Sequence, residues 1–195
     1  MSITMKMDEI SSFVRRSGVD GDTAVDLWRE CEAVIPEVLT EFYSGLSAVS
    51  AFGEHLAAPG RVEQLKKAQA DHWRALFAPT LSTDVEKRST RIGEVHVAIG
   101  LPSGWYMAGY AFLLKKLLPH IAGRHRFSAR TRAALIDRLI ERVFTDMILS
   151  NTAYENRIDS DRAASAAADA DLGNLRNAAG MVSDANITAI QLAHL

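Results

Sequence analysis

His96 stands in the segment Ile92-Gly93-Glu94-Val95-His96-Val97-Ala98-Ile99-Gly100-Leu101-Pro102. At helical spacing its imidazole falls on an apolar face, with Ile92 and Ile99 one turn to either side. Gly93 removes side-chain bulk one turn before it, and Gly100-Leu101-Pro102 stops the helix soon after. A neutral imidazole held in an apolar slot suits the axial coordination of a porphyrin iron. It equally suits a hydrogen-bonded core histidine, and this segment alone leaves both readings open.

The elements that must position this residue are helical throughout. No alternating Val/Ile/Thr run of strand length occurs, and Gly and Pro cluster at breaks: Gly18 and Gly21, Pro59-Gly60, Pro79, the Gly100 to Gly104 region, and Gly123. A short helix is expected at 5–16. A second starts after Gly21-Asp22, with Asp22 as its cap, and carries Ala24, Leu27, Trp28, Cys31, Val34 and Ile35. Pro36 kinks or breaks it, and Leu39, Phe42, Tyr43 and Leu46 continue the apolar face. Amphipathic helices follow at 61–77, 84–100 and 102–121. A long helix at 129–158, capped by Ser128, carries Leu135, Ile136, Leu139, Ile140, Val143, Phe144, Met147 and Ile148. That stripe is too wide for one core, so part of it is expected to pack against a second copy of the chain.

The chain has 195 residues, 48% hydrophobic and 24% charged, an ordinary globular balance with length for one core and an additional segment. A net charge of −2 provides no electrostatic basis for binding nucleic acid or an anionic membrane surface. Cys31 is the sole cysteine, which excludes an intrachain disulfide and any multi-cysteine metal site and fits a reducing, cytoplasmic setting. The first residues lack the apolar core of a signal peptide, and no run approaches the roughly 18 apolar residues of a membrane span, so no membrane insertion is expected. No P-loop, dinucleotide-binding glycine motif or zinc-protease motif is present. Asn186-Ile187-Thr188 matches a glycosylation sequon that a cytosolic chain would not use.

Beyond about residue 158 the composition turns Ala- and Asp-rich. Leu172, Leu175, Ala179, Val182, Asn186, Ala189 and Ala193 follow a weak heptad spacing, read either as the start of a coiled coil or as a polar, partly ordered tail. The pattern stops at Leu195 without a cap, so continuation into a longer protein is expected. The expected divisions are an N-terminal extension or helix at 1–20, a main domain at 21–158 and, at 159–195, a helical linker or the start of a coiled-coil signalling segment.

Three segments together carry a resemblance: Glu41-Phe42-Tyr43-Ser44-Gly45-Leu46; Leu65-Lys66-Lys67-Ala68-Gln69-Ala70-Asp71-His72-Trp73-Arg74-Ala75-Leu76-Phe77; and the His96 segment followed by Trp105-Tyr106. This set resembles the sensor domain of the globin-coupled sensors, haem proteins of bacteria and archaea, over roughly residues 20–158. The resemblance implies an all-α globin fold with an extra N-terminal helix, a homodimer built on the last two long helices, and haem b (iron protoporphyrin IX) held by His96. It implies Tyr43 as the distal hydrogen-bond donor to O2, CO or NO, and Leu65 and Ala68 on the helix over the distal face. Phe42 and Ile99 are implied as porphyrin contacts, and Tyr106 as a proximal residue that relays the ligand state or simply packs.

The remaining histidines receive plainer readings. A second axial ligand at His72 is disfavoured by Tyr43, and His55, His120, His125 and His194 are expected to be exposed. Gly123-Arg124-His125-Arg126 is expected to be a solvated loop. The function implied is a haem-based gas sensor without catalytic activity of its own. It would signal to a C-terminal module of the chemotaxis transducer, histidine kinase or diguanylate cyclase kind. A haem enzyme such as a nitric oxide dioxygenase, which would need a reductase, and a cofactor-free helical dimerisation module are the alternatives.

Overall fold

The structure, a computed structural model, describes the backbone of residues 13–14, 26–79 and 82–192, and their side chains except at 83 and 180–192. The expected helix at 5–16, apart from the helical pair Phe13 and Val14, lies outside the described residues. So do Gly18, Gly21, Asp22, Ala24, Ala193 and His194, and the side chains of Val182, Asn186 and Ala189.

Every described element is helical, and no strand occurs among the described residues. They are α1 (Leu27–Cys31), α2 (Ile35–Ser47), a 3-10 turn (Ser50–Phe52), α3 (Gly53–Leu56), α4 (Arg61–Leu76), α5 (Thr83–Ala98), α6 (Ser103–Arg124) and α7 (Ala129–Leu192). Of the kink or break expected at Pro36, the structure shows a break, placed just before the proline. The side chain of Asp26 caps α1 by accepting from the Arg29 N–H at 3.1 Å, and α1 ends at Cys31. Pro36 then falls in the first turn of α2, where its missing N–H leaves no intrahelical bond unmade. α6 runs on through Pro119 to Arg124, three residues beyond the expected end. Ser128 sits at the start of α7, its Oγ accepting from the Thr131 N–H at 3.4 Å.

α2 packs against α4 and α6, α1 against α6, and α4 against α5. Their shared core includes Leu39, Leu76, Phe77, Leu113, Leu117 and Leu139. Along α7 the broad stripe divides: Leu135, Leu139 and Val143 are buried, while Ile140 and Phe144 remain 41% and 39% exposed. The described residues fall into two compact units, divided between Tyr154 and Glu155. Where described, the second is helical through Leu192 with Leu172 and Leu175 exposed.

One crossing between α5 and α7 is set by backbone. A Cβ on Gly93 would lie 2.1 Å from the carbonyl oxygen of Ser150, so only glycine permits this approach. The Ser150 hydroxyl donates to the Ser89 carbonyl at 2.8 Å one turn earlier on α5, locking the register. At the end of α5, Gly100 takes a φ of 73°. Its N–H donates to the Val97 carbonyl at 3.0 Å and that of Leu101 to the His96 carbonyl at 2.9 Å, a Schellman ending that only a residue tolerant of left-handed backbone makes easily.

His120, His125 and the segment at 123–126 depart from expectation. The histidines are half-buried, and α6 reaches Arg124. Because α1 packs on α6, Glu30 is brought to its C-terminal end. The Glu30 carbonyl lies 3.0 Å from His120 Nε2, and its carboxylate lies 2.9 Å from His125 Nε2 and 2.8 Å from Arg124 Nε. His55 is exposed, as expected.

Two outcomes follow for stability. Gly93→Ala forces helix backbones apart and should cost about 3 kcal/mol or more in urea unfolding, at the upper end of overpacking effects. Gly45→Ala, in open helical space, should stabilise by about 0.5–1 kcal/mol. Burial opposes the charge on Glu30, but His125 and Arg124 outweigh it and hold the carboxyl below its ordinary value of 4.5. A depressed carboxyl stabilises above the unfolded value and loses that contribution as pH falls through the folded one. Glu30→Gln should therefore lower the melting temperature at neutral pH, with the difference from wild type closing in acid below about pH 4.5.

Candidate functional site

His96 lies in the last turn of α5, and burial lowers its pKa, partly offset by a backbone hydrogen bond. Its Nδ1 is 2.7 Å from the Ile92 carbonyl, one turn back. A carbonyl only accepts, so Nδ1 carries the hydrogen and Nε2 presents a lone pair. Burial disfavours the imidazolium, which keeps that lone pair free of a proton. Tyr106, from the first turn of α6, packs its ring 4.8 Å from the imidazole. Ile99, the expected porphyrin contact one turn on, is 48% exposed.

Tyr43 is buried on α2. Its hydroxyl donates to Gln69 Oε1 on α4 at 3.0 Å. Burial raises its pKa to about 12 against an opposing influence of Arg61, so it remains a hydroxyl donor at neutral pH. Phe42 packs edge-on against Tyr43 at 5.2 Å and against Phe112 at 5.6 Å. Leu65 is half-buried against the core, whereas Ala68 is exposed. Gln69 is the polar partner that the sequence reading passed over. Its spacing from Leu65 puts it on the same helix face as Ala68, so spacing by itself did not single it out.

A second polar group is buried behind these residues. The Tyr106 and Tyr110 hydroxyls are 2.6 Å apart, and Tyr110 donates to Asp146 Oδ2 at 2.9 Å. His72 Nε2 lies 3.1 and 3.0 Å from the two Asp146 oxygens. His72 is thus engaged by a carboxylate on α7. Burial, followed by the Asp146 charge, pushes the hydroxyls of Tyr106 and Tyr110 well above their ordinary range.

The donor set fits a haem better than a bare metal ion. Among the described residues no group of three or more His, Cys, Asp or Glu side chains could hold a metal. A metal on His96 would therefore have to bring its other ligands with it, as a porphyrin iron does. The neutral imidazole with a free Nε2 supplies the axial donor, and Tyr43 supplies a hydroxyl. Phe42, Leu65 and Tyr106 are apolar surfaces packed against the core yet only partly buried, as expected of residues that would cover a flat apolar ligand. Among the described residues no helix is long and apolar enough to cross a membrane.

Comparison with known proteins agrees with this architecture. The Protoglobin family model matches residues 5–160. A curated relative is the "Heme-based aerotactic transducer HemAT" of Halobacterium salinarum, 29% identical over 139 residues, or 69% of this chain. The match spans only 28% of that transducer's length. The globin domain of the Geobacter sulfurreducens globin-coupled sensor superposes with a TM-score of 0.67 at 19% identity, covering 77% of this chain and 99% of that one. The ferrous globin domain of E. coli DosC superposes with a TM-score of 0.62 at 21% identity, covering 75% and 99%. The all-helical fold is thus a globin fold, and the chain belongs to the protoglobin family.

Proposed function

We propose that this chain is the sensor domain of a haem-based gas sensor, with His96 as the axial ligand of haem b. The observation that carries the reading is the His96 imidazole, whose Nδ1–H is committed to the Ile92 carbonyl, leaving Nε2 as the free donor. When bound, haem supplies a ferrous iron able to take up O2, CO or NO reversibly. Everything else is the work of the protein's own residues.

Tyr43 is the distal donor. Its hydroxyl would turn from Gln69 to a polar diatomic ligand, a hydrogen bond that favours O2 over the less polar CO. Phe42, Leu65 and Ile99 would cover the porphyrin and exclude water, with Ala68 beside them, and Tyr106 backs the His96 imidazole. The exposed Ile140 and Phe144 support a homodimer through α6 and α7. Residues 159–195 act as a helical linker, or the start of a coiled-coil signalling segment, to a module of the transducer, kinase or cyclase kind; the aerotactic relative is itself named a transducer. On this reading the chain binds and signals rather than catalyses, and 21–158 is the sensing domain.

The test begins with absorption spectroscopy of the purified chain supplied with haem, in ferric, reduced and oxygen-exposed forms. A Soret band that moves on reduction and again with oxygen is expected. His96→Ala should lose the normal ferrous spectrum while retaining helical circular dichroism; an unaltered ferrous spectrum would remove His96 from the site. Tyr43→Phe should retain haem but release oxygen roughly tenfold to hundredfold faster, the equivalent of a charge-assisted hydrogen bond of about 1.5–3 kcal/mol. An unchanged rate in stopped flow would refute the distal role.

A further inference from the structure

We propose that Asp146 is a positioning residue for gas binding, the hub of a buried chain that ties the His96 imidazole to the helix bearing Gln69. This rests on the haem reading above.

The chain runs through four side chains. The Tyr106 ring lies against His96 at 4.8 Å, and its hydroxyl is 2.6 Å from that of Tyr110. Tyr110 has one proton and gives it to Asp146, so Tyr106 is the donor to Tyr110. From the other side His72 Nε2 donates to the same carboxylate. Both runs therefore end on Asp146, the acceptor that orients them. His72 lies on α4 one turn beyond Gln69, whose Oε1 accepts from Tyr43. The path thus starts on the His96 side, passes through α7 and returns to the helix that holds the Tyr43 hydroxyl.

Stability does not account for this arrangement. Asp146, His72 and Tyr110 are 2%, 5% and 8% exposed, within a core made mostly of aliphatic and aromatic side chains. Replacing such a buried polar group by apolar residues of like volume is often neutral or favourable. The group is not even fully satisfied, since His72 Nδ1 is buried without a partner. What hydrogen bonds provide over leucine packing is direction. A small rotation of the imidazole changes the Tyr106 contact, and short directional links carry it where soft apolar contacts would absorb it.

The test uses the whole chain. Tyr110→Phe cuts the path at its middle while keeping the ring, and His72→Leu and Asp146→Asn cut it elsewhere. In the haem-loaded protein, Tyr110→Phe should move the ferrous iron–histidine stretching band in resonance Raman spectra and change the oxygen release rate by about threefold or more. His72→Leu should alter the release rate likewise. His72→Gln should restore it, because a glutamine amide can place an N–H where Nε2 donates. In the haem-free protein, Tyr106→Phe and His72→Leu should be non-additive, the double variant's unfolding constant departing by about twofold or more from the product of the singles.

A wild-type stretching band and release rate in Tyr110→Phe and Asp146→Asn, with only stability changed, would overturn the proposal and leave the chain a packing feature. Additivity in the haem-free cycle would do the same. Absence of a Soret band from the wild-type chain would instead overturn the haem reading and this inference with it.

Discussion

Where α5 crosses α7 there is no space for a side chain, and much of the structure follows from that. The carbonyl of Ser150 occupies the position a Cβ of residue 93 would take, so two helix backbones meet directly. His96 is three residues further along α5. Its ring is oriented by the Ile92 carbonyl and its own carbonyl is engaged by the Schellman ending at Gly100 and Leu101. The imidazole is therefore referenced to α7 through peptide geometry rather than through flexible side chains. Interiors packed this tightly shift between discrete arrangements instead of deforming gradually. On the proposed reading, a displacement of His96 would be felt where α5 meets α7.

The opposite side of the site is organised by polarity. Tyr43 is deep enough for burial to raise its pKa to about 12, yet its hydroxyl is satisfied by Gln69 rather than left bare. That internal partner means that any new acceptor must compete with an existing hydrogen bond. On the proposed haem reading, such competition would make the resting position of α4, which bears Gln69, relevant to ligand affinity. Behind it, His72 and Asp146 hold α4 to α7 with charge-assisted geometry in a setting where apolar packing would have sufficed.

The helices at 61–77 and 84–100 emerge as Arg61–Leu76 and Thr83–Ala98 because apolar periodicity and terminal signals are local properties. The interruption read at Pro36 has an equally local cause: proline is accommodated in a first turn, so the chain breaks before it. The prominence of Gly93 and His96 was visible in the string, while the reason for Gly93, a carbonyl from residue 150, was not. Ala68 and Gln69 were indistinguishable by spacing. Only the packing of α4 on α2 turns Gln69 toward Tyr43 and leaves Ala68 exposed.

Sequence by itself determined the helical content, the breaks at Gly60 and Gly100, the isolated histidine on an apolar face, and the resemblance carried by three short segments. These depend on backbone preferences and side-chain order over one or two turns. Tertiary structure decided which polar residues find one another: Glu30 with Arg124 and His125, Tyr43 with Gln69, and Tyr110 and His72 with Asp146. Those pairs are 26 to 95 residues apart, and what joins them is the choice of which helix faces meet. That choice is made by burial of the whole core and leaves no signature at the spacing of a single helix.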